Sequence, residues 1–354
     1  MSKIYKLGII GFGGMASHHA TQISKKNVPV EIKGVYDIDP ERLEAAKKCG
    51  YIAYPTLDAL LSDPETDIVL VATYNISHAE LSIKALKAGK HVICEKPVCI
   101  SSAELEEVIK TAKECGKVFT VDQNRRFNKD YILMKRTIEQ GLVGKPYVIE
   151  SRVEGSRGMP SGWRSEKALG GGMMYDWGVH LIDQMLHFTD EKVVNVFCKM
   201  YSINYTEIDD SFRLLITFES GLTAQIEVST NNFILHPRWY VLAQKGTLQI
   251  DDWSCEGRVI RELTKDDSWD TEIAPDKAGP SKTMAKRNES TIETIPLTAP
   301  EDVEDNLDPV YRQFIAAIEG GELYIKPEQC LRVLKVMEAG FESARTGDAV
   351  HTDI

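Results

Sequence analysis

A lysine and a proline close the apolar run His91-Val92-Ile93-Cys94-Glu95-Lys96-Pro97. Neither suits a strand interior, so the run reads as a buried strand that delivers a cation to the crevice at its carboxyl end. Pro97 restricts Lys96 to an extended backbone, which limits where the amine can point. A second cluster, Gly11-Phe12-Gly13-Gly14-Met15-Ala16, follows the first apolar run and opens a helical one. In that context Gly11 makes the tight turn, Gly13 lets a pyrophosphate approach the backbone, and Ala16 permits close helix packing. The phosphates would rest on helix N-terminal amides. Asp37 ends the second apolar run, where a carboxylate accepts hydrogen bonds from adenosine ribose hydroxyls and repels a 2′-phosphate. The next arginine, Arg42, falls inside the following helix, so the expected cofactor is NAD in preference to NADP. The competing role for Asp37 or Asp39 is to cap that helix, and Asp39 is the better placed.

These residues need a sheet to hold them. Residues 3–122 alternate short apolar runs with amphipathic segments, the pattern of a parallel sheet wrapped by helices. Six strands are predicted, at Tyr5–Ile10, Val30–Tyr36, Ile52–Tyr54, Ile68–Ala72, His91–Cys94 and Val118–Asp122, with helices such as Pro40–Cys49 and Ser77–Lys87 between them. The segment Thr73-Tyr74-Asn75-Ile76-Ser77-His78 ends the fourth strand, which sets Thr73 and Asn75 on the nucleotide crevice. Ser77 reads as a helix cap, and His78 either touches cofactor or is a solvated first-turn residue. Beyond residue 122 one helix (Tyr131–Gln140) precedes runs of strand character at 147–153, 193–201, 212–218, 223–228, 239–243 and 247–250. Several alternate apolar with polar residues, as an antiparallel sheet with one covered face requires. The fold class is therefore α/β: a Rossmann dinucleotide-binding domain over 1–123 and an α+β domain over 124–354. Residues 264–306 read as a long irregular excursion. Two helices, 308–319 and 327–345, close the chain, the second able to pack back on the first domain.

At 354 residues the chain exceeds the usual single core, since domains hold roughly 100–200 residues. With 43% hydrophobic and 27% charged residues it has an ordinary globular composition. No apolar stretch approaches the ~20 residues that span a bilayer. The start, Met1 to Lys6, runs into a strand without a signal-peptide core, so the expected compartment is the cytoplasm. A net charge of -11 disfavours nucleic acid, and Arg125-Arg126 with Lys129 is too small a basic cluster to reverse that. Seven cysteines without CxxC spacing argue for free thiols and against a zinc site.

Taken together, Gly11–Ala16, Thr73–His78, the run from Ala88 to Pro97, and Gly170-Gly171-Gly172 with Asp176-Trp177-Gly178-Val179-His180-Leu181-Ile182-Asp183 resemble the glucose-fructose oxidoreductase, inositol dehydrogenase and rhizopine-catabolism (Gfo/Idh/MocA) family. The resemblance covers nearly the whole chain. It implies a C-terminal domain with a large open sheet often used for oligomer contacts, here a dimer or tetramer. It also implies hydride transfer between a nicotinamide and a secondary hydroxyl of a sugar, sugar derivative or inositol. Such a reaction needs a general base and a group that stabilises charge on oxygen. His180 can be the base at neutral pH. Asp176, four residues earlier, shares its helical face and could orient the imidazole or bind a substrate hydroxyl. Lys96 would polarise the same oxygen. By resemblance Lys96, Asp176 and His180 match the family's catalytic residues.

The segment Gln123-Asn124-Arg125-Arg126-Phe127 should cross between domains at the cleft, with one arginine contacting substrate or bracing the interface. Trp163-Arg164 resembles the family's cofactor-side loop, where Trp163 could cover nicotinamide or stack on a sugar. Trp177 reads as packing, and Trp239 and Trp253 as sheet residues. The cofactor set is thus Gly11, Phe12, Gly13, Gly14, Met15, Asp37, Thr73, Asn75, His78, Glu95, Lys96, Gln123, Trp163 and Arg164. The substrate set is Lys96, Arg125, Trp163, Asp176 and His180. Asp183 and His187 lie near the same face, but no metal-ligand set is complete. Two alternatives are a redox-cycling enzyme that retains NAD through a transient keto-sugar, and a non-catalytic nucleotide-binding regulator.

Overall fold

The computed structural model describes residues 3–265 and 287–354. Its first sheet consists of β1 (Tyr5–Ile10), β2 (Val30–Tyr36), β3 (Ile52–Ala53), β4 (Ile68–Val71), β5 (His91–Cys94) and β6 (Phe119–Val121). The strands run parallel in the order β3-β2-β1-β4-β5-β6. Both faces are covered, which is why β4 can be Ile-Val-Leu-Val with every residue buried. The order reverses between β1 and β4, and a crevice opens beyond their carboxyl ends. Helices α1 (Gly14–Ile23), α2 (Pro40–Lys48), α3 (Leu57–Leu61), α4 (His78–Lys87) and α5 (Ser102–Cys115) connect the strands. Asp39 caps α2 through Glu41 N–H at 2.9 Å.

After α6 (Lys129–Glu139), a nine-stranded sheet is built from β7 (Pro146–Glu154), β8 (Val193–Tyr201), β9 (Ser211–Phe218), β10 (Thr223–Ser229), β11 (Trp239–Ala243), β12 (Gly246–Ile250), β13 (Gly257–Glu262), β14 (Ile292–Leu297) and β15 (Val350–His351). Its order is β14-β13-β12-β11-β7-β10-β9-β8-β15, antiparallel except where β7 meets β10. In β9, Phe212, Leu214, Ile216 and Phe218 are buried while Arg213 faces out, the expected alternation. One face of the sheet is covered by α7 (Val179–Phe188) and α9 (Pro327–Thr346).

β14 corrects the expectation of an irregular excursion over 264–306; residues 266–286 of that stretch lie outside the described residues. As an edge strand it buries little and contains Pro296, so it carries no interior-strand signal. The chain then returns to the first sheet. On α8 (Asp308–Ile318), Tyr311, Phe314 and Ile315 enter one apolar cluster with Leu7, Ile9 and Val35. Each such buried side chain contributes roughly 1.5–3 kcal/mol. From α9, Glu338 accepts from the Ser102 N–H at 2.6 Å and from its hydroxyl at 2.8 Å. The two sheets are joined again by a buried bidentate pair in which Arg126 donates to both Asp183 oxygens at 2.6 and 2.7 Å. Among the described residues no helix is long and apolar enough to cross a membrane.

Candidate active site

The glycine loop is shaped by contact, not only by flexibility. Gly11 sits at φ +87°, and a Cβ there would lie 2.7 Å from the Ala72 carbonyl oxygen. Its N–H donates to Tyr36 O at 2.8 Å, while the Phe12 N–H donates to Asp37 Oδ2 at 2.6 Å. Asp37 Oδ1 also accepts from Asp39 N–H at 2.8 Å, so this buried carboxylate ties the loop to the end of β2. A side chain at Gly14 would meet only open space, and no side chain caps the first turn of α1. First-turn amides that no side chain caps suit a pyrophosphate.

The glycine cradle is one end of a single cleft of about 1740 Å³ that runs between the two sheets. Gly11, Gly13, Gly14, Met15, Asp37, Thr73, Asn75, His78, Glu95, Lys96, Arg125, Trp163, Arg164, Asp176 and His180 all line it. Phe12 and Gln123 do not. The Phe12 ring turns into the apolar cluster and meets Tyr51 edge-on at 6.2 Å. Gln123 is buried where the chain enters the short 3-10 turn Asn124–Phe127, which sends Asn124 and Arg125 to the cleft in its place. His78 is neither solvated nor free, because its Nδ1 and Nε2 lie 2.8 and 3.1 Å from the carbonyls of Pro97 and Thr73. It braces the loop that carries Lys96. Asn75 donates to Gly170 O at 2.8 Å, fastening the glycine run of the second half to the first.

Lys96 leaves the end of β5 and crosses the cleft. Its Nζ donates to Asp176 Oδ1 at 3.0 Å and to the Asp176 carbonyl at 2.9 Å. The other carboxylate oxygen of Asp176 accepts from Arg164 Nε at 2.8 Å. Burial would raise the Asp176 pKa, but Lys96 and Arg164 outweigh it and hold the group below the ordinary carboxylate value. Asp176 lies in a π turn, Met174–Gly178, that feeds directly into α7. The wider turn places Asp176 on its two cations and not on His180, which corrects the expectation that it orients the imidazole. Gly172, at φ +112°, lets this turn start against Asp209, where a Cβ would come within 2.3 Å of Oδ1.

His180 is 3% exposed and makes no hydrogen bond among the described residues; its Nδ1 is buried without a partner. Burial, followed by the charges of Lys96, Arg125 and Arg238, drives its pKa well below the ordinary value. The ring is therefore neutral. Beneath Lys96, Glu95 lies 2.8 Å from His19 Nε2, and His19 Nδ1 lies 2.7 Å from the Tyr311 hydroxyl on α8. Asp122 stands 3.3 Å from the same imidazole. Burial and then the Glu95 charge push Asp122 up to about 6. His19 is raised well above its ordinary value, the Tyr311, Asp122 and Glu95 interactions together overcoming its burial.

Residues 5–123 match the family described as "Oxidoreductase family, NAD-binding Rossmann fold", and residues 131–249 match the GFO/IDH/MocA C-terminal domain. A solved NAD-binding protein from Listeria innocua is 41% identical, with a TM-score of 0.88 over 99% of this chain and 97% of that one. The chain belongs to the Gfo/Idh/MocA oxidoreductase family. Curated relatives at 29% identity include the myo-inositol 2-dehydrogenase of Thermotoga maritima, matched over 73% of this chain and 77% of its own, and the scyllo-inositol 2-dehydrogenase (NADP(+)) IolW of Bacillus subtilis, over 82% and 80%. The family's NAD-binding fold accounts for the cradle and for its place at the sheet's reversal.

The family motifs leave part of this oxidoreductase's cleft unread. Trp253, expected in the sheet, stands in the loop between β12 and β13 and lines the cleft, as does Trp177, expected only to pack. Trp239 is a sheet residue, its indole N–H donating to Asp130 at 2.8 Å. Arg42 reaches back from α2 to within 3.6 Å of Asp37 and also lines the cleft. Asn232, Phe233 and Leu235 arrive from the β10–β11 connection. The run Phe233-Ile234-Leu235, 77%, 83% and 63% exposed, was the one available signal, since such apolar residues in a loop need a reason. Asp183 and His187 are engaged elsewhere, with Arg126 and with the hydroxyls of Tyr131 and Tyr324 at 2.7 and 2.9 Å.

Proposed function

We propose that the protein is an NAD-dependent dehydrogenase that oxidises a secondary hydroxyl of a sugar, sugar derivative or inositol to a ketone. The observation that carries this reading is the pairing of Lys96 with Asp176 across the cleft, one turn before a neutral, unpartnered His180. Lys96 keeps an N–H for the substrate oxygen and lowers the energy of negative charge developing there. His180 takes the hydroxyl proton, which it can do because burial and nearby cations keep it unprotonated. Asp176 positions Lys96 and, through Arg164, the loop that carries Trp163. Gly11, Gly13, Gly14 and Asp37 would hold a nicotinamide dinucleotide, which would supply hydride-accepting chemistry.

NAD is proposed over NADP because the Asp37 carboxylate faces the adenosine end and would repel a 2′-phosphate. Arg42, 3.6 Å away, weakens that repulsion without removing it. The exposed face of the nine-stranded sheet, with Phe197, Tyr201 and Ile260, is proposed as the contact for a second copy. The test is a panel of inositols, aldoses and glycosides assayed with NAD and NADP for wild type, Lys96→Ala and His180→Ala. NADH formed in proportion to ketone supports a net dehydrogenase. Wild-type turnover in both variants would discard the assignment.

A further inference from the structure

The substrate end of the cleft holds more positive than negative charge, in a chain whose net charge is -11. Lys96, Arg125 and Arg164 face one carboxylate, Asp176. Lys96 and Arg164 take one oxygen each, at 3.0 and 2.8 Å, so Asp176 has nothing left for Arg125. The other nearby acids are also committed. Glu154 accepts from the ring and backbone of His236 at 2.9 and 2.7 Å, Asp130 pairs with Arg238 at 3.1 Å, and Glu95 is held by His19.

Arg125 forms no ion pair among the described residues. Its guanidinium donates to Asn128 Oδ1 at 3.1 Å and otherwise lies against indole faces, with Trp177 at 4.2 Å and Trp253 at 5.4 Å. Most of its N–H donors thus lack a protein acceptor. Burial pulls its pKa below the ordinary value, with Asp130, Asp176 and Asp305 acting on it only at a distance. Its backbone is fixed as well, since Gln184 on α7 donates to the Arg125 carbonyl at 2.8 Å. The result is a half-buried cation, oriented by two aromatic planes, beside the proposed reacting groups. Such a preorganised fork loses little freedom when it binds, and its planar geometry matches two coplanar oxygens.

Building on the dehydrogenase reading, we propose that the substrate is a sugar acid and that Arg125 receives its carboxylate in a bidentate pair. Arg157 also lines the cleft without an ion pair among the described residues, but it is exposed, so Arg125 is the half-buried free fork, and one such fork favours a carboxylate over a phosphate, whose larger charge would call for further unpaired buried cations. Lys96 and His180 remain with the reacting hydroxyl, and the indoles of Trp177 and Trp253 offer apolar faces for the sugar's C–H surface.

The test measures binding apart from turnover. Full-length protein, without added cofactor, is titrated by calorimetry and indole fluorescence with three matched pairs: galacturonate and galactose, glucuronate and glucose, gluconate and sorbitol. Galactose 6-phosphate forms a fourth arm. At low salt at least one acid should bind on the order of 10- to 100-fold more tightly than its neutral partner. Arg125→Gln should bring the two affinities close together, and Arg125→Lys should restore only part of the difference, since it returns the charge without the fork. Neutral members binding as tightly as the acids to wild type would overturn the proposal, as would tighter binding of the phosphate. The same pairs assayed with NAD separate the two readings. Acids that bind through Arg125 but never reduce NAD would sink the dehydrogenase reading and leave the carboxylate site standing. Turnover of neutral sugars alone would do the reverse.

Discussion

The two ends of the cleft are built from different materials. The cofactor end is backbone: Gly11 at a positive φ, the uncapped first-turn amides of α1, and a carboxylate, Asp37, that accepts two main-chain N–H groups. The substrate end is side chain: a lysine from the carboxyl end of β5, an aspartate and a histidine from a turn and a helix, and Arg125 and Arg164 stacked on Trp177 and Trp163. A backbone site depends on local conformation and tolerates few residue types, so it leaves a short, ordered signature. A side-chain site depends on distant segments meeting, and each contributes one residue of unremarked type.

That contrast can be broken in order of expected effect. Lys96→Ala and His180→Ala should each lower kcat by about 10²- to 10⁴-fold with little change in melting temperature, read from single-turnover rates and a thermal melt. Gly11→Ala should act on the opposite end and in the opposite way. It forces a Cβ against Ala72 O and costs on the order of 1–3 kcal/mol, lowering the melting temperature along with dinucleotide affinity. If Gly11→Ala bound NAD with wild-type strength, the cradle would not be a backbone site.

A pH series sharpens the other end. His180 titrates well below 6.5, so it is already neutral there, and the acid limb of kcat/KM for oxidation should lie below that pH. The sign follows from the causes. Burial comes first and Lys96 second, so Lys96→Met should move the residual limb upward, though not to the value of a solvated histidine. An unmoved limb in Lys96→Met would mean that another group controls it. The smallest effect is expected at Asp37. Asp37→Ser should shift the NADP-to-NAD ratio of kcat/KM toward NADP by roughly tenfold, the scale of one modest electrostatic contact. Arg42→Ala should shift it the other way.

The same contrast explains what was legible beforehand. β4 and β5 were readable because doubly covered strands run apolar almost without a break, and Gly11 to Ala16 because each position has its own steric demand. Lys96 stood out by violating its surroundings. Trp253 violated nothing, since an indole fits a sheet as well as a loop, and only the fold brings it to Arg125. Gln123 failed for a smaller reason: the 3-10 turn after it rotates the cleft-facing positions to Asn124 and Arg125. Asp176 shared the helical spacing with His180, but a π turn changed which neighbours it meets.

The return of α8 has a consequence for how the molecule comes into being. Tyr311 completes the hydrogen bonds of His19, and Phe314 fills the apolar layer beside Leu7 and Ile9, some three hundred positions earlier in the chain. During synthesis the dinucleotide half therefore emerges first with one face unfinished. That face must wait until residue 318 has left the ribosome, with β7 to β14 of the second sheet made in between. The apolar layer behind the glycine loop is thus closed late in translation, when Asp176 and His180 have already been made.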